Sequence, residues 1–85
     1  MAIVTLYTKA NCPLCQRAER VILSLQAELG FRFERQDITQ DPTLYERYRF
    51  DIPVIAIDGQ ERFHHRVSKA ELRAALGPTS RPQRP

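Results

Sequence analysis

Asn11-Cys12-Pro13-Leu14-Cys15 holds the chain's two cysteines, immediately after a strand-like run and at the start of a helical pattern. A helix presents residues i and i+3 on one face, so a helix beginning near Pro13 lets the two sulfurs meet without bending the backbone. Its first turn also leaves backbone N–H groups without intrahelical partners and carries the positive end of the helix dipole. Both stabilise a thiolate on Cys12. Proline suits the first helical position because the N–H it lacks would be unbonded there. These features make Cys12 the candidate nucleophile of a redox pair.

Two other uses of the pair compete with this one. A zinc site needs four protein ligands, or three and a water. The remaining soft donors, His64 and His65, are adjacent and would point apart on a strand. No second Cys-x-x-Cys is present. A purely structural disulfide belongs more naturally to a chain with secretory features. Redox exchange is the reading to pursue, and no bound metal or prosthetic group is expected.

At 85 residues with 42% hydrophobic side chains, the chain has room for one core. It is read as one domain over residues 1–77, followed by a disordered Pro/Arg-rich tail over residues 78–85, where no apolar residue remains. Strand-like sequence begins at once, without a charged leader or an apolar run long enough for export or membrane spanning. A cytoplasmic protein with no membrane partner is therefore expected. The net charge of +3 includes Arg81 and Arg84, and removing these two from 13 basic residues leaves 11 against 10 acidic ones, or +1. Such a balance gives no electrostatic footprint for nucleic acid.

In chain order, residues 2–8 are rich in β-branched and aromatic types with apolar groups on both faces, the pattern of a buried central strand. Leu14, Ala18, Val21, Ile22, Leu25 and Leu29 form one stripe of a helix over residues 13–29, ended by Gly30. Residues 31–38 read as a more exposed strand, parallel to the first through a right-handed crossover. Asp41-Pro42 caps a short helix over residues 43–49, with Leu44 and Tyr48 as its core pair. Residues 52–57 and 60–64 read as an antiparallel hairpin turned by Asp58-Gly59. Ser68-Lys69-Ala70-Glu71 is a capping box, Val67 and Leu72 sit where a hydrophobic staple would, and Gly77-Pro78 closes the last helix.

The order β-α-β-α-β-β-α, with the cysteines at the first strand-to-helix junction, resembles the thioredoxin fold. The length, the stretch Tyr7-Thr8-Lys9-Ala10-Asn11-Cys12-Pro13-Leu14-Cys15 and Ile52-Pro53-Val54 make it similar to glutaredoxins and small glutaredoxin-like proteins, over residues 2–77. The resemblance implies an α/β domain, a mixed four-stranded sheet with helices on both faces. It also implies a redox-active Cys12–Cys15 disulfide, with Cys12 attacking and Cys15 resolving. Pro53 would be cis and packed against the disulfide, and the backbone of Ile52 would pair with substrate in β fashion. Lys9 matches the lysine that glutaredoxins carry near the thiolate and the glutathione carboxylate. Arg17 and Arg20 read as the solvated face of the helix, and His64 and His65 have no assigned task.

The chain departs from glutaredoxins in two places. Asp51-Ile52-Pro53 stands where the family usually has Thr-Val-Pro, and His64-His65-Arg66-Val67-Ser68 stands where it usually has Gly-Gly and an acidic residue. Those glycines let glutathione's γ-glutamyl carboxylate approach the backbone. Here Val67, Ser68 and the first helical N–H groups would have to receive it.

The expected function is a cytoplasmic, monomeric dithiol-disulfide oxidoreductase that reduces protein or glutathione mixed disulfides. Its partners would be disulfide-containing proteins, with electrons from either glutathione or thioredoxin reductase. One alternative is a thioredoxin-reductase-dependent redoxin, such as a donor to ribonucleotide reductase. Others are a non-catalytic thioredoxin-fold binding module and an iron-sulfur carrier using Cys12 and bound glutathione.

Overall fold

The computed structural model describes residues 2–77, so the tail expected at residues 78–85 lies outside the described residues. Its elements are β1 (Ile3–Thr8), α1 (Pro13–Leu29), β2 (Arg32–Asp37), a single 3-10 turn (Ile38–Gln40), α2 (Pro42–Tyr48), β3 (Val54–Ile57), β4 (Gln60–His64) and α3 (Lys69–Leu76). The sheet order is β2-β1-β3-β4, with β1 and β2 parallel and the other two pairs antiparallel. A mixed four-stranded sheet with three helices is the architecture expected of a thioredoxin-like α/β domain.

The pleat of β1 sends alternate residues to opposite faces, and each face has its own core. Val4 and Leu6 join Ile55 and Ile57 of β3 beneath α1 and α3, where Ala18, Ile22, Leu25 and Leu72 are buried. Tyr7 and Val54 face the other way and pack with Ile38 and with Leu44 and Tyr48 of α2. Helices therefore cover both faces. Leu29, the last residue of α1 and part of its expected stripe, is 37% exposed.

Several boundaries lie one or two residues from the sequence expectation (β1 starts at Ile3, β2 at Arg32, and α2 spans Pro42–Tyr48), and two of the differences have a clear physical cause. Ile38 does not extend β2: the Asp37 carboxylate accepts bonds from the Thr39 N–H (2.9 Å) and hydroxyl (2.6 Å), which turns the chain, and Ile38 is buried in the turn that follows. β3 begins at Val54 rather than Ile52. Pro53 has no N–H for a ladder, and the Ile52 N–H is bonded instead to the Tyr48 carbonyl at 3.1 Å.

α2 is tied to the sheet edge through one carboxylate. Glu61 of β4 accepts a bond from the Tyr48 hydroxyl at 2.5 Å and also meets Arg47 at 3.3 Å and His64 at 3.2 Å. Tyr48 stacks on Tyr7 with ring centroids 4.6 Å apart. Burial, and then the bond to Glu61, raise the Tyr48 phenol from 10.0 to about 12, while the Tyr48 hydroxyl holds Glu61 below the usual carboxylate range.

A phenol whose folded pKa lies above its unfolded value contributes stability below the unfolded pKa and loses it as pH rises through the folded one. Unfolding free energy is thus expected to fall by about 2 kcal/mol between roughly pH 10 and 12. Tyr48→Phe should cost about 1 kcal/mol at pH 7 and flatten that alkaline decline. Urea unfolding across the pH range checks both.

Candidate active site

Three chain segments meet at the carboxyl end of β1. The first is the turn into α1, where Asn11 adopts φ 58, a left-handed geometry that asparagine tolerates better than most side chains. This turn delivers Cys12 as the N-cap of α1, with extended backbone (φ −120, ψ 101) and Pro13 at the first helical position. The Cys12 Sγ accepts the Cys15 N–H at 3.2 Å, and the Cys12 carbonyl accepts the Gln16 N–H at 3.0 Å. The cysteines form a disulfide with Cα atoms 5.2 Å apart, inside the normal range.

The two sulfurs have different surroundings. Cys12 is partly exposed, whereas Cys15 is 2% exposed and lies in the α2-side core with Ile38, Tyr48, Ile52 and Val54. The second segment supplies part of that packing. Ile52 is buried, Pro53 is buried, and the Ile52–Pro53 peptide bond is cis.

The third segment is the turn from β4 to α3, bound to the second twice. The His65 N–H donates to the Pro53 carbonyl at 2.8 Å, and the His65 Nε2 donates to the Phe50 carbonyl at 3.1 Å. His65 holds φ 70, a left-handed geometry that costs a β-carbon-bearing residue about 1 kcal/mol. It occupies the stretch where glutaredoxins usually have glycine, a residue that would adopt this φ without strain. Phe50 beside it is 79% exposed.

Between α1 and this third segment lies a cleft of about 150 Å³, lined by Leu14, Arg17, Ala18, His65, Arg66 and Val67. Val67, expected at the substrate site from the family resemblance, is one of the lining residues. Ser68 is committed elsewhere: its hydroxyl accepts the Glu71 N–H at 3.0 Å, and its own N–H donates to the Glu71 carboxylate at 3.0 Å. Lys9 is exposed and is not among the cleft residues. Arg17, read as a solvated helix residue, and His65, left without a task, both line the cleft. The spacing of Leu14 to Arg17, one helical turn, was the available signal for the first; nothing local in the sequence marks the second. Among the described residues, no group of three or more His, Cys, Asp and Glu side chains converges as metal ligands would.

Comparison with known proteins agrees with this geometry. The family model for the Glutaredoxin-like domain (DUF836) matches residues 3–77. A structural-genomics target protein from X. campestris is similar at a TM-score of 0.71 and 28% identity, covering 86% of this chain and 93% of that one. A protein from Nitrosomonas europaea reaches a TM-score of 0.76 at 22% identity, covering 89% and 92%. A mutant thioredoxin from Halobacterium salinarum reaches 0.70 at 17% identity, covering 99% and 78%. The fold and the cysteine pair together fit a redox role.

In the reduced protein the two thiols are expected to react unequally, because only Cys12 combines exposure with the helix N-cap. Alkylation of Cys15→Ser, which retains Cys12, should be at least about tenfold faster at neutral pH than that of Cys12→Ser, with its half-maximal rate at lower pH. Equal pH-rate profiles for the two variants would contradict this.

Proposed function

This chain belongs to the glutaredoxin-like domain family, and we propose that it acts within it as a dithiol-disulfide oxidoreductase on protein disulfides in a reducing compartment such as the cytoplasm. The Cys12 thiolate attacks one sulfur of the substrate disulfide, forming a Cys12 mixed disulfide and expelling the other sulfur as a thiolate that takes up a proton. The Cys15 thiolate then attacks Cys12 Sγ, closing the Cys12–Cys15 disulfide and releasing the second substrate thiol. Two electrons pass from the protein dithiol to the substrate. The observation that carries this reading is the asymmetry of the pair: a partly exposed sulfur at the helix N-cap and a 2% exposed one a turn inside it.

Substrate would lie along Ile52 and Pro53. Because the Ile52 N–H is already bonded to Tyr48, the Ile52 carbonyl is the group left to pair with an incoming strand. Lys9, exposed in the loop before Cys12, adds positive charge near the thiolate without a fixed contact.

For the electron donor, a dithiol reductase of the thioredoxin-reductase type is favoured over glutathione. The side chain of His65 lines the cleft where a glycine would leave it open, and the Ser68–Glu71 capping box takes up the Ser68 and Glu71 N–H groups, two of those at the helix start that could hold the γ-glutamyl carboxylate. Losing two or so charge-assisted hydrogen bonds removes on the order of 3 kcal/mol, or roughly a hundredfold in affinity.

The experiment follows NADPH oxidation with a protein mixed-disulfide substrate, supplying either thioredoxin reductase or glutathione with its reductase. Turnover is expected to require both cysteines and to be supported by the first donor, with no saturation by millimolar glutathione. His65→Gly, whose backbone already suits glycine, should raise the glutathione-dependent rate. Full turnover saturating at millimolar glutathione in the unaltered protein would overturn the donor assignment. No turnover with either donor would favour a non-catalytic binding module.

A further inference from the structure

The lining of the cleft beside Leu14 includes groups that disulfide exchange does not use. Ala18 is buried and Leu14 and Val67 half-buried, giving an apolar floor, while exposed Arg17, His65 and Arg66 form a rim without any acidic side chain. The ion pairs among the described residues use Arg32, Arg35, Arg47, His64, Lys69 and Arg73. Arg17 and Arg66 have no such partner. Two guanidiniums that share one concave site without a carboxylate leave its charge uncompensated, and a guanidinium fork matches a carboxylate bidentately.

We propose that this cleft recognises an acidic side chain of the substrate protein, close in sequence to the cysteine whose disulfide Cys12 opens; the proposal rests on the oxidoreductase reading. At about 150 Å³ the cleft is smaller than the roughly 300 Å³ at which small-ligand pockets begin. It suits one side chain, a carboxylate on the rim with its methylenes on the Leu14–Val67 floor, better than a whole tripeptide. Leu14 lies between the two cysteines. At about 3.3 Å per residue of extended chain, a side chain held there is within a few residues of the sulfur under attack. Complementary charge of this kind acts chiefly on specificity and on the rate of encounter, and weakens with salt.

The test uses the reduced full chain and a set of short peptides carrying one cysteine as its thionitrobenzoate disulfide, flanked by Glu, Gln or Lys. Such an activated disulfide reacts with an accessible thiolate whether or not the protein cycles catalytically. The flank dependence therefore reads the cleft alone, and NADPH-coupled turnover reads the oxidoreductase assignment separately. At low ionic strength the Glu peptide should react about tenfold faster than the Gln peptide and the Lys peptide slower than both. In the Arg17→Gln/Arg66→Gln variant the Glu preference should fall to within about twofold, whereas Arg20→Gln, on the same helix but outside the cleft, should keep it. A Glu-to-Gln ratio near one in the unaltered protein would overturn the proposal, and so would a ratio that the double variant leaves in place. Loss of the preference on adding millimolar S-methylglutathione, which cannot exchange, would assign the cleft to glutathione and overturn it too.

Discussion

The Cys12 sulfur is the N-cap of α1: it accepts the Cys15 N–H at 3.2 Å, where a serine or aspartate oxygen commonly stands. The position of that sulfur and the beginning of the helix are therefore one constraint. Moving the helix start by one residue would place Cys15 on another side of α1 and separate the pair. The left-handed turn at Asn11 and the proline at the first helical position set the start from one side. Burial of Ala18, Ile22 and Leu25 against the sheet sets the rotation of the helix from the other.

That rotation also explains why the sulfurs differ. Cys15 belongs to the core beneath α2, with Ile52 and Tyr48, while Ala18, one turn later, belongs to the core beneath α1 and α3. The first turn of α1 thus sits where the two cores meet, at the end of β1. Its inward sulfur is enclosed by the α2-side core, and its outward sulfur is partly exposed. The carboxyl end of β1 also meets the Pro53 loop, which is pinned by Tyr48 from one direction and by His65 from the other. Tyr48 is in turn held by Glu61 and stacked on Tyr7. The cysteine pair is positioned by a packed and hydrogen-bonded surround, which fits a preorganised redox site.

Local signals carried most of the fold. Pro13 and Gly30 bracket α1, Asp58-Gly59 turns the hairpin, and Ser68 and Glu71 open α3 with both hydrogen bonds of the capping box formed. The cysteine pair was equally legible, because its chemistry depends on one helical turn. Tertiary effects were harder to see. Asp37 ends β2 by bonding Thr39, which a pattern of alternating hydrophobicity cannot register, and the Ile52 N–H is withdrawn from the sheet by a helix carbonyl. The cleft was the least visible part. Arg17 and Arg66 lie far apart in sequence and share a site only because α1 packs beside the β4–α3 turn, so each alone reads as an ordinary exposed cation. That His64-His65-Arg66 departs from the usual glycines is visible in the sequence, while the hydrogen bond from His65 to the Phe50 carbonyl is a tertiary contact that it does not encode locally.

The proposed roles, with Cys12 attacking and Cys15 resolving, are tested most directly by mass spectrometry of the single-cysteine variants after incubation, in reduced form, with a disulfide-bonded protein substrate. Cys15→Ser is expected to accumulate a covalent mixed disulfide on Cys12, since the intermediate forms and cannot be resolved, while Cys12→Ser accumulates none over the same time. Equal adduct formation by both variants, or an adduct only on Cys15, would contradict the account.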